Sequence, residues 1–297
     1  MPEGDTLYRI AETLAPALVG QPVKSLVLPR SDVPTAHLVG RSVKKIESVG
    51  KNLLIHFDEG STLHVHLRMN GTVRLRRERP GMPPSLANAS FILTVPGWVA
   101  LCQRAPTVRL FRSRDLPLDR RLQALGPDLL GASFDRVTAL RRLRARNGEP
   151  LGVAIMDQTA VAGVGNVYKS EVLFNLHFDP FAPGSAYSDE ELLVMLDLSR
   201  ALLQKNVVPR DPDRPPDAFT RAFARSRVTR SGCEVGKGPV SVYGRQGRAC
   251  FDCGATILLE RQGELRRSTY YCPVCQPKRN VVSAPAAAAD PSSSRGG

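Results

Sequence analysis

Two pairs of cysteines near the C-terminal end of this chain of 297 residues constrain its fold more than any other feature. Cys250 and Cys253 form one C-x2-C pair, and Cys272 and Cys275 form the other. This arrangement is typical of a four-cysteine zinc site on a β-hairpin. Four thiolates fill a tetrahedral shell and leave no position for water, so we expect one structural Zn²⁺. The alternative is two pairs of reduced structural thiols, which rarely show such regular spacing.

The charge balance favours a polyanionic partner. Lys and Arg number 41 against 28 Asp and Glu, which gives a formal net charge of +13. On charge alone, nucleic acid and a merely soluble basic protein are equal alternatives. No stretch approaches the roughly 18 to 20 consecutive apolar residues of a membrane span, and the first residues lack the segments of a signal peptide. We therefore expect no membrane partner and a cytoplasmic location.

Apolar periodicity predicts an α+β protein with several domains. Residues 1–120 begin with a helix over 6–18, and short alternating strands separated by turn residues follow it, which predicts a β-sandwich. Residues 121–232 are helical in pattern, and Ser188 with Glu191 forms a capping box before a helix over 189–205. The cysteine hairpin occupies 233–277. The expected strands cover 43–49, 53–57, 63–69, 91–95 and 98–101, and the other expected helices cover 134–146, 151–157 and 169–175.

Two segments predict irregular structure. Between residues 207 and 217 four prolines stand among charged residues, which is typical of an exposed loop. Residues 278–297 are rich in Ala, Pro and Ser with few apolar anchors, so we expect a disordered tail.

A glycine turn before a helical run is a candidate phosphate site. Gly163 and Gly165 let backbone amides and the helix N-terminus approach a phosphate, with Asn166 as cap or direct donor. Taken alone, such a turn is more often only a connection between helices. Beside a basic chain and a basic cysteine hairpin, the phosphate interpretation is favoured.

Four short motifs occur together and in order: Pro2-Glu3-Gly4, Gly50-Lys51, Gly163-Val164-Gly165-Asn166, and Val242-Tyr243-Gly244-Arg245. With the cysteine spacing, residues 1–277 resemble the formamidopyrimidine-DNA glycosylase and endonuclease VIII family. The resemblance implies an N-terminal β-sandwich, a helix-two-turn-helix domain, a zinc finger and a groove for damaged DNA between the domains. It also implies a bacterial enzyme of the cytosol or nucleoid, acting as a monomer.

The first motif makes chemical sense as a catalytic pair. Removal of Met1 would expose the secondary amine of Pro2, whose pKa of about 8 leaves a useful unprotonated fraction. Such an amine attacks a sugar C1′ and forms a Schiff base, and Glu3 acts as general acid and base. In an arbitrary protein these residues would be a flexible terminus. Lys51 is the third candidate, reaching a phosphate or helping catalysis, and the alternative is a solvated turn lysine.

The resemblance also implies DNA contacts. Arg267 corresponds to the finger arginine that grips phosphates of the damaged nucleotide, and Met69 lies in the loop that fills the gap left by a flipped base. We assign Asn166 and Lys169 to the same DNA surface. His64 and His66 share a strand face and suggest a metal pair, although ordinary sheet-face histidines are the favoured interpretation.

The residues after the first motif bear on substrate. Thr6 stands where many relatives have glutamate, which resembles the endonuclease VIII branch and favours oxidised pyrimidines. We therefore expect a bifunctional DNA glycosylase and AP lyase. Two alternatives are a catalytically silent module that binds lesion DNA on the same scaffold, and a zinc-ribbon protein that binds RNA or acts in translation.

Overall fold

The computed structural model describes residues 2–79, 86–207, 229 and 240–279. The proline-rich loop from 208 onward and the expected tail from 280 onward lie outside the described residues. The helices are α1 (Gly4–Leu18), α2 (Arg120–Gln123), α3 (Arg136–Arg144), α4 (Leu151–Ala154), α5 (Asn166–Asn175) and α6 (Asp189–Lys205). The strands are β1 (Ser25–Val27), β2 (Val43–Val49), β3 (Asn52–Phe57), β4 (Ser61–His66), β5 (Thr72–Arg77), β6 (Ala89–Val95), β7 (Trp98–Gln103), β8 (Thr107–Arg112), β9 (Leu258–Gln262) and β10 (Arg267–Tyr271).

The N-terminal part is the predicted β-sandwich. Its two antiparallel sheets have the orders β1-β6-β7-β5 and β2-β3-β4-β8. Their inward residues join the apolar face of α1 in one core that includes Leu7, Leu14, Ile55, Leu63 and Phe91. Burying these side chains stabilises the sandwich, at about 1.5–3 kcal/mol for each large one. Helix α1 thus packs on β2 and β3.

The strand prediction was incomplete. Strands β1, β5 and β8 were not predicted, and each gives a weak pattern for a different reason. β1 is three residues long, and β8 is half-buried along its length, so its apolar residues do not alternate cleanly. In β5 the buried Val73 and Leu75 do alternate with exposed arginines, a signal that the sequence carried.

The central part is helical, as predicted. α3, α5 and α6 bury a second apolar core that includes Leu143, Tyr168, Val172, Met195 and Leu203. The predicted capping box is confirmed: the Ser188 side chain accepts from Glu191 N–H, and the Glu191 carboxylate accepts from Ser188 N–H. No helix in the described ranges is both long and apolar enough to cross a bilayer.

The cysteine hairpin consists of β9 and β10, paired antiparallel from Arg267 opposite Gln262 to Tyr271 opposite Leu258. It packs on α5, where Phe174 joins Val242, Ile257 and three of the four cysteines, Cys250, Cys272 and Cys275, in a small apolar cluster. The hairpin is therefore fixed to the same helix that carries the glycine turn at its start.

Candidate active site and metal site

The Glu3 carboxylate is held at the N-terminus of α5. Glu3 is fully buried, and its two oxygens accept from Gly165 N–H at 2.8 Å and from Val167 N–H at 2.9 Å. These amides have no partner within the helix, and the positive end of the helix dipole also favours an anion. A side chain at Gly165 would collide with Glu3, because a Cβ there would lie 2.4 Å from Glu3 Cδ. The glycine turn therefore receives a carboxylate of the chain itself.

The first three motifs meet around this turn. Gly4 N–H donates to the Gly163 carbonyl at 2.9 Å, and Gly50 N–H donates to Asp128 Oδ2 at 2.8 Å. Gly50 has φ +56°, and a Cβ there would lie 2.9 Å from the Ala162 Cβ, so both its conformation and its surroundings require glycine. Residues more than 100 positions apart thus form one site.

A cavity of about 260 Å³ adjoins this site and is lined by residues of both the sandwich and the helical part. Lys51 contributes to its wall, and so does Gln158, which also binds the glycine turn. Gln158 donates to the Val164 carbonyl at 3.0 Å and accepts from Gly163 N–H at 3.1 Å. The remaining lining residues are Asn52, His64, His66, Arg68, Thr107, Arg121, Leu122 and Leu125. The wall therefore carries several basic side chains near the buried carboxylate.

The two histidines of this cavity differ in environment. His64 is buried and its Nε2 lies 2.9 Å from Asn52 Oδ1, so Nε2 carries the proton. Burial, together with the positive charges of Arg109, His66 and Arg121, lowers the pKa of His64 to about 4, and the negative charge of Asp119 opposes this shift. His66 accepts from Arg68 N–H at Nδ1, and burial together with Lys51 lowers its pKa as well. Among the described residues, the four cysteines are the only cluster of three or more side chains that could hold a metal ion, and the interpretation of His64 and His66 as ordinary sheet-face histidines stays a prediction.

Two predicted DNA-contacting residues lie together. Met69, about half exposed, follows β4 in the turn before β5, and the Arg267 Nη1 atom lies 3.8 Å from its Sδ atom. The sandwich and the cysteine hairpin therefore meet at these two side chains.

Lys169 is enclosed rather than exposed. Its side chain is fully buried, and Nζ donates to Thr269 Oγ1 at 2.8 Å. Burial lowers the pKa of Lys169 to about 7, with Glu3 raising it and Arg267 lowering it. In this structure Lys169 offers no surface to a phosphate, so a DNA contact through it stays a prediction.

The comparisons with known proteins agree with this geometry. The formamidopyrimidine-DNA glycosylase N-terminal domain matches residues 1–103, and the formamidopyrimidine-DNA glycosylase H2TH domain matches residues 125–211. A relative named probable endonuclease 8 2 of Streptomyces coelicolor is 36% identical, over 93% of this chain and 94% of its own length. The chain belongs to the formamidopyrimidine-DNA glycosylase and endonuclease VIII family of DNA-repair enzymes.

Other members of the family give the same match. The DNA-(apurinic or apyrimidinic site) lyase Nei2 of Mycolicibacterium smegmatis is 32% identical, over 93% of this chain and 99% of its own length. Among solved structures, the MutM (Fpg) protein of Thermus thermophilus is 27% identical with a TM-score of 0.71, over 94% of this chain and all of that one. Lactococcus lactis Fpg bound to DNA with an AP site has a TM-score of 0.72 at 22% identity, over 93% and 100% of the two chains, and supports the fold.

Two family motifs have surroundings that were not predicted from the sequence. Asn166 is the first residue of α5 and is mostly buried, and its Oδ1 has no hydrogen-bond partner among the described residues. The family motif around Val242 folds over Glu171, whose carboxylate accepts from the N–H groups of Ser241, Val242 and Tyr243. The buried carboxylate of Glu171 therefore fixes this segment to α5.

The four cysteines lie where the family fold places its finger. Their sulfur atoms are all within 4.8 Å of one another, with Cys250 to Cys275 at 3.8 Å and Cys253 to Cys272 at 3.4 Å. A tetrahedron with Zn–S bonds of about 2.3 Å has edges of about 3.8 Å between sulfurs. The donor set and its spacing fit a zinc ion.

Several site residues carried no sequence signal. Asp128 and Gln158 orient the glycine motifs through side-chain hydrogen bonds, and Thr269 receives the buried lysine. Each is a common polar residue whose partner lies elsewhere in the chain, so only the folded arrangement identifies it. Asp5, which follows the first motif, is fully buried and paired with Arg9 at 3.1 Å.

Proposed function

We propose that this chain is a bifunctional DNA glycosylase and AP lyase of base excision repair, which removes oxidised bases from damaged DNA. The observation that carries the proposal is the Glu3 carboxylate, buried beside Pro2 and oriented by the amides of α5. A buried carboxylate next to an N-terminal secondary amine supplies both the nucleophile and the proton carrier of this chemistry. The relatives named endonuclease 8 and AP lyase support the same activity.

Attack by the Pro2 nitrogen then accounts for cleavage of the glycosidic bond and for cleavage of the DNA strand. The lone pair of the Pro2 nitrogen attacks C1′ and the glycosidic bond breaks, and the departing base takes the bonding electron pair and the proton that the Pro2 nitrogen loses. Glu3 in its protonated form gives a proton to the ring oxygen, which opens the sugar and leaves an iminium at C1′. Removal of a C2′ proton then expels the 3′ phosphate by β-elimination, and a second elimination releases the 5′ phosphate. Water hydrolyses the iminium and regenerates Pro2.

The neighbouring basic residues hold the DNA. Lys51 lies in the cavity wall, where an ammonium neutralises a phosphate next to the lesion. Arg267 grips phosphate with a bidentate guanidinium, and Met69 enters the gap left by the extruded base. Asn166, at the start of α5, donates its side-chain amide to the backbone of the DNA.

The cysteine cluster holds one Zn²⁺ in this proposal, bound by Cys250, Cys253, Cys272 and Cys275. The closed four-thiolate shell gives the ion a structural role: it fixes the hairpin that carries Arg267.

We assign 1–120 to the catalytic sandwich, 121–232 to the helix-two-turn-helix domain, 233–277 to the zinc finger and 278–297 to a tail. The protein acts as a monomer in the cytoplasm, and Thr6 favours oxidised pyrimidines as substrates.

Borohydride trapping tests this function directly. Reduction during reaction with DNA that carries an abasic site or an oxidised pyrimidine converts the iminium to a stable amine. We expect a covalent complex whose linked peptide begins at Pro2. Protein with an uncleaved N-terminal extension is the matched control, because its Pro2 nitrogen is a tertiary amide, and it should bind DNA without being trapped. Trapping undiminished by a verified extension would move the nucleophile to a lysine and contradict the proposal. DNA binding without trapping by the unextended protein would instead support the silent module.

Glu3→Gln separates the two bond cleavages. It keeps the amine and removes the proton carrier, so base excision should fall by about 10²–10⁴. Cleavage at a pre-formed abasic site should fall less, because the glycosidic bond is already broken. Equal losses on both substrates would exclude Glu3 from the excision step.

A further inference from the structure

The buried ammonium of Lys169 is unused by the chemistry above. A lysine that is fully enclosed is rare unless its charge is compensated. Lys169 N–H donates to the Gly165 carbonyl at 2.8 Å, one helical turn back, and helical side chains lean toward the N-terminus. The side chain therefore extends along the turn of α5 whose amides bind Glu3. Glu3 and Arg267 are the charged groups that act on it.

A chain of buried hydrogen bonds leads from Lys169 into the hairpin. Lys169 Nζ donates to Thr269 Oγ1 at 2.8 Å, and Thr269 Oγ1 donates to Gln262 Oε1 at 2.6 Å. Gln262 Nε2 donates in turn to the Pro180 carbonyl at 2.9 Å. Gly152 makes room for this chain, since a Cβ there would lie 2.5 Å from Gln262 Oε1. Every donor points away from the lysine, so the ammonium polarises the whole chain.

Strand β10, which carries Thr269, also carries Arg267, the residue proposed to bind phosphate. Thr269 and Arg267 are two positions apart on β10, so their side chains leave the strand on the same face. Next to this contact, Tyr270 N–H donates to Ser170 Oγ of α5 at 3.3 Å. Lys169 and Ser170 thus fix the position of β10 on α5, and with it the base of the Arg267 side chain.

We propose that Lys169 is a positioning residue, whose ammonium couples the seating of the cysteine hairpin to the orientation of the Glu3 carboxylate. This inference rests on the proposed function, because it assigns a role within the same active site. One end of the coupling is the attraction between the ammonium and Glu3, and the other is the hydrogen bond to Thr269. A displacement of Thr269 would therefore move the ammonium and change the electrostatic field at the Glu3 carboxylate.

This role depends on charge as well as on shape. Burial lowers the pKa of Lys169 to about 7. The negative charge of Glu3, near the start of α1, raises this pKa, and the positive charge of Arg267, on β10, lowers it. The ammonium is therefore present below pH 7 and lost as the pH rises through 7. A side chain that only filled space would contribute equally at every pH.

The test compares single-turnover excision by the full-length zinc protein and by Lys169→Met, which keeps the length and removes the charge. We expect Lys169→Met to be roughly tenfold slower at pH 6 and nearly equal to wild type at pH 9. Thr269→Val should show the same pH-dependent loss, and the double variant should be no slower than Lys169→Met. Lys44→Met, an exposed lysine of β2, is the matched control and should leave the rate unchanged.

The outcomes separate the two proposals. A rate ratio that is constant with pH, or losses that multiply in the double variant, would show that Lys169 only fills space. If Lys169→Met does not fold, Thr269→Val decides alone, since it keeps the lysine and removes only a hydroxyl. Failure of the wild-type protein to form a borohydride-trapped complex would overturn the proposed function itself, before any variant is compared.

Discussion

Arg267 and Met69 lie 198 positions apart in the chain, yet the Arg267 Nη1 atom is 3.8 Å from the Met69 Sδ atom. One residue belongs to the cysteine hairpin and the other to a turn of the β-sandwich. In the proposed function, this contact brings the phosphate-binding group and the apolar wedge to one place at the edge of the site. A nucleotide gripped there by its phosphate would leave its gap within reach of the wedge.

Arg267→Ala should weaken binding to damaged and undamaged DNA alike. Each phosphate that a cation neutralises contributes about 0.9 to the slope of log K against log salt on duplex DNA, so the variant should lose about one unit of slope. Arg261→Ala, on the neighbouring strand with its guanidinium bonded to the Arg266 carbonyl, is the control. Fluorescence anisotropy over a salt series measures both. A slope equal to wild type would mean that Arg267 does not touch phosphate.

Cys272→Ser should lose the metal and with it the hairpin. Structural zinc sites hold their folds together, so we expect close to one zinc per chain in the wild-type protein and far less in the variant. The affinity for lesion DNA should fall, whereas the chemical rate of the complexes that still form should change little. Ser241→Ala, outside the cysteine cluster, should retain its zinc. Elemental analysis with binding titrations measures this, and full activity without metal would contradict it.

Gly165→Ala should reduce excision through Glu3. The added Cβ would lie 2.4 Å from Glu3 Cδ, so the carboxylate must leave its two amides. We expect a loss of at least tenfold in the single-turnover rate, with the fold retained in circular dichroism. Gly148→Ala is the matched control, because a Cβ there meets nothing within 4 Å. Normal activity in Gly165→Ala would show that the position of Glu3 is not critical.

Lys169→Met should raise stability most at low pH. Burial depresses the pKa of Lys169 to about 7, so at and below that pH the folded protein holds a charge that water would solvate better. This penalty is relieved as the pH rises from about 7 toward the ordinary lysine value. The increase in Tm should therefore amount to several degrees near pH 6 and should shrink by pH 9. A Tm difference that does not change with pH would refute the shifted pKa.

The parts of the fold that follow local rules were predictable. The spacing of Cys250, Cys253, Cys272 and Cys275 gave the hairpin, and alternating apolar residues gave most of the sandwich. The capping box correctly predicted Asp189 as the first residue of α6. For α5 the prediction began at Lys169, whereas the helix begins at Asn166, because its first turn is stabilised by the distant Glu3.

The parts of the site that depend on distant polar partners were not predictable. Lys169 looks like any helix lysine in the sequence. Nothing near it indicates that Thr269, 100 positions later, accepts a hydrogen bond from its ammonium. Asp128 and Gln158 are similar cases, since their partners are backbone amides of glycine motifs. Such contacts arise from the packing of whole domains, on which hydrophobic periodicity carries no information.

The bonds from Glu3 to Gly165 and Val167 also impose an order of events during synthesis. Glu3 emerges from the ribosome early, and the Gly165 and Val167 amides that orient it emerge about 160 residues later. At ordinary elongation rates this interval is on the order of 10–30 s. Through that interval the nascent chain would carry the proposed nucleophile without an oriented proton donor. In the proposed mechanism, base excision therefore begins only after the sandwich and the helical domain have both been synthesised and have packed together.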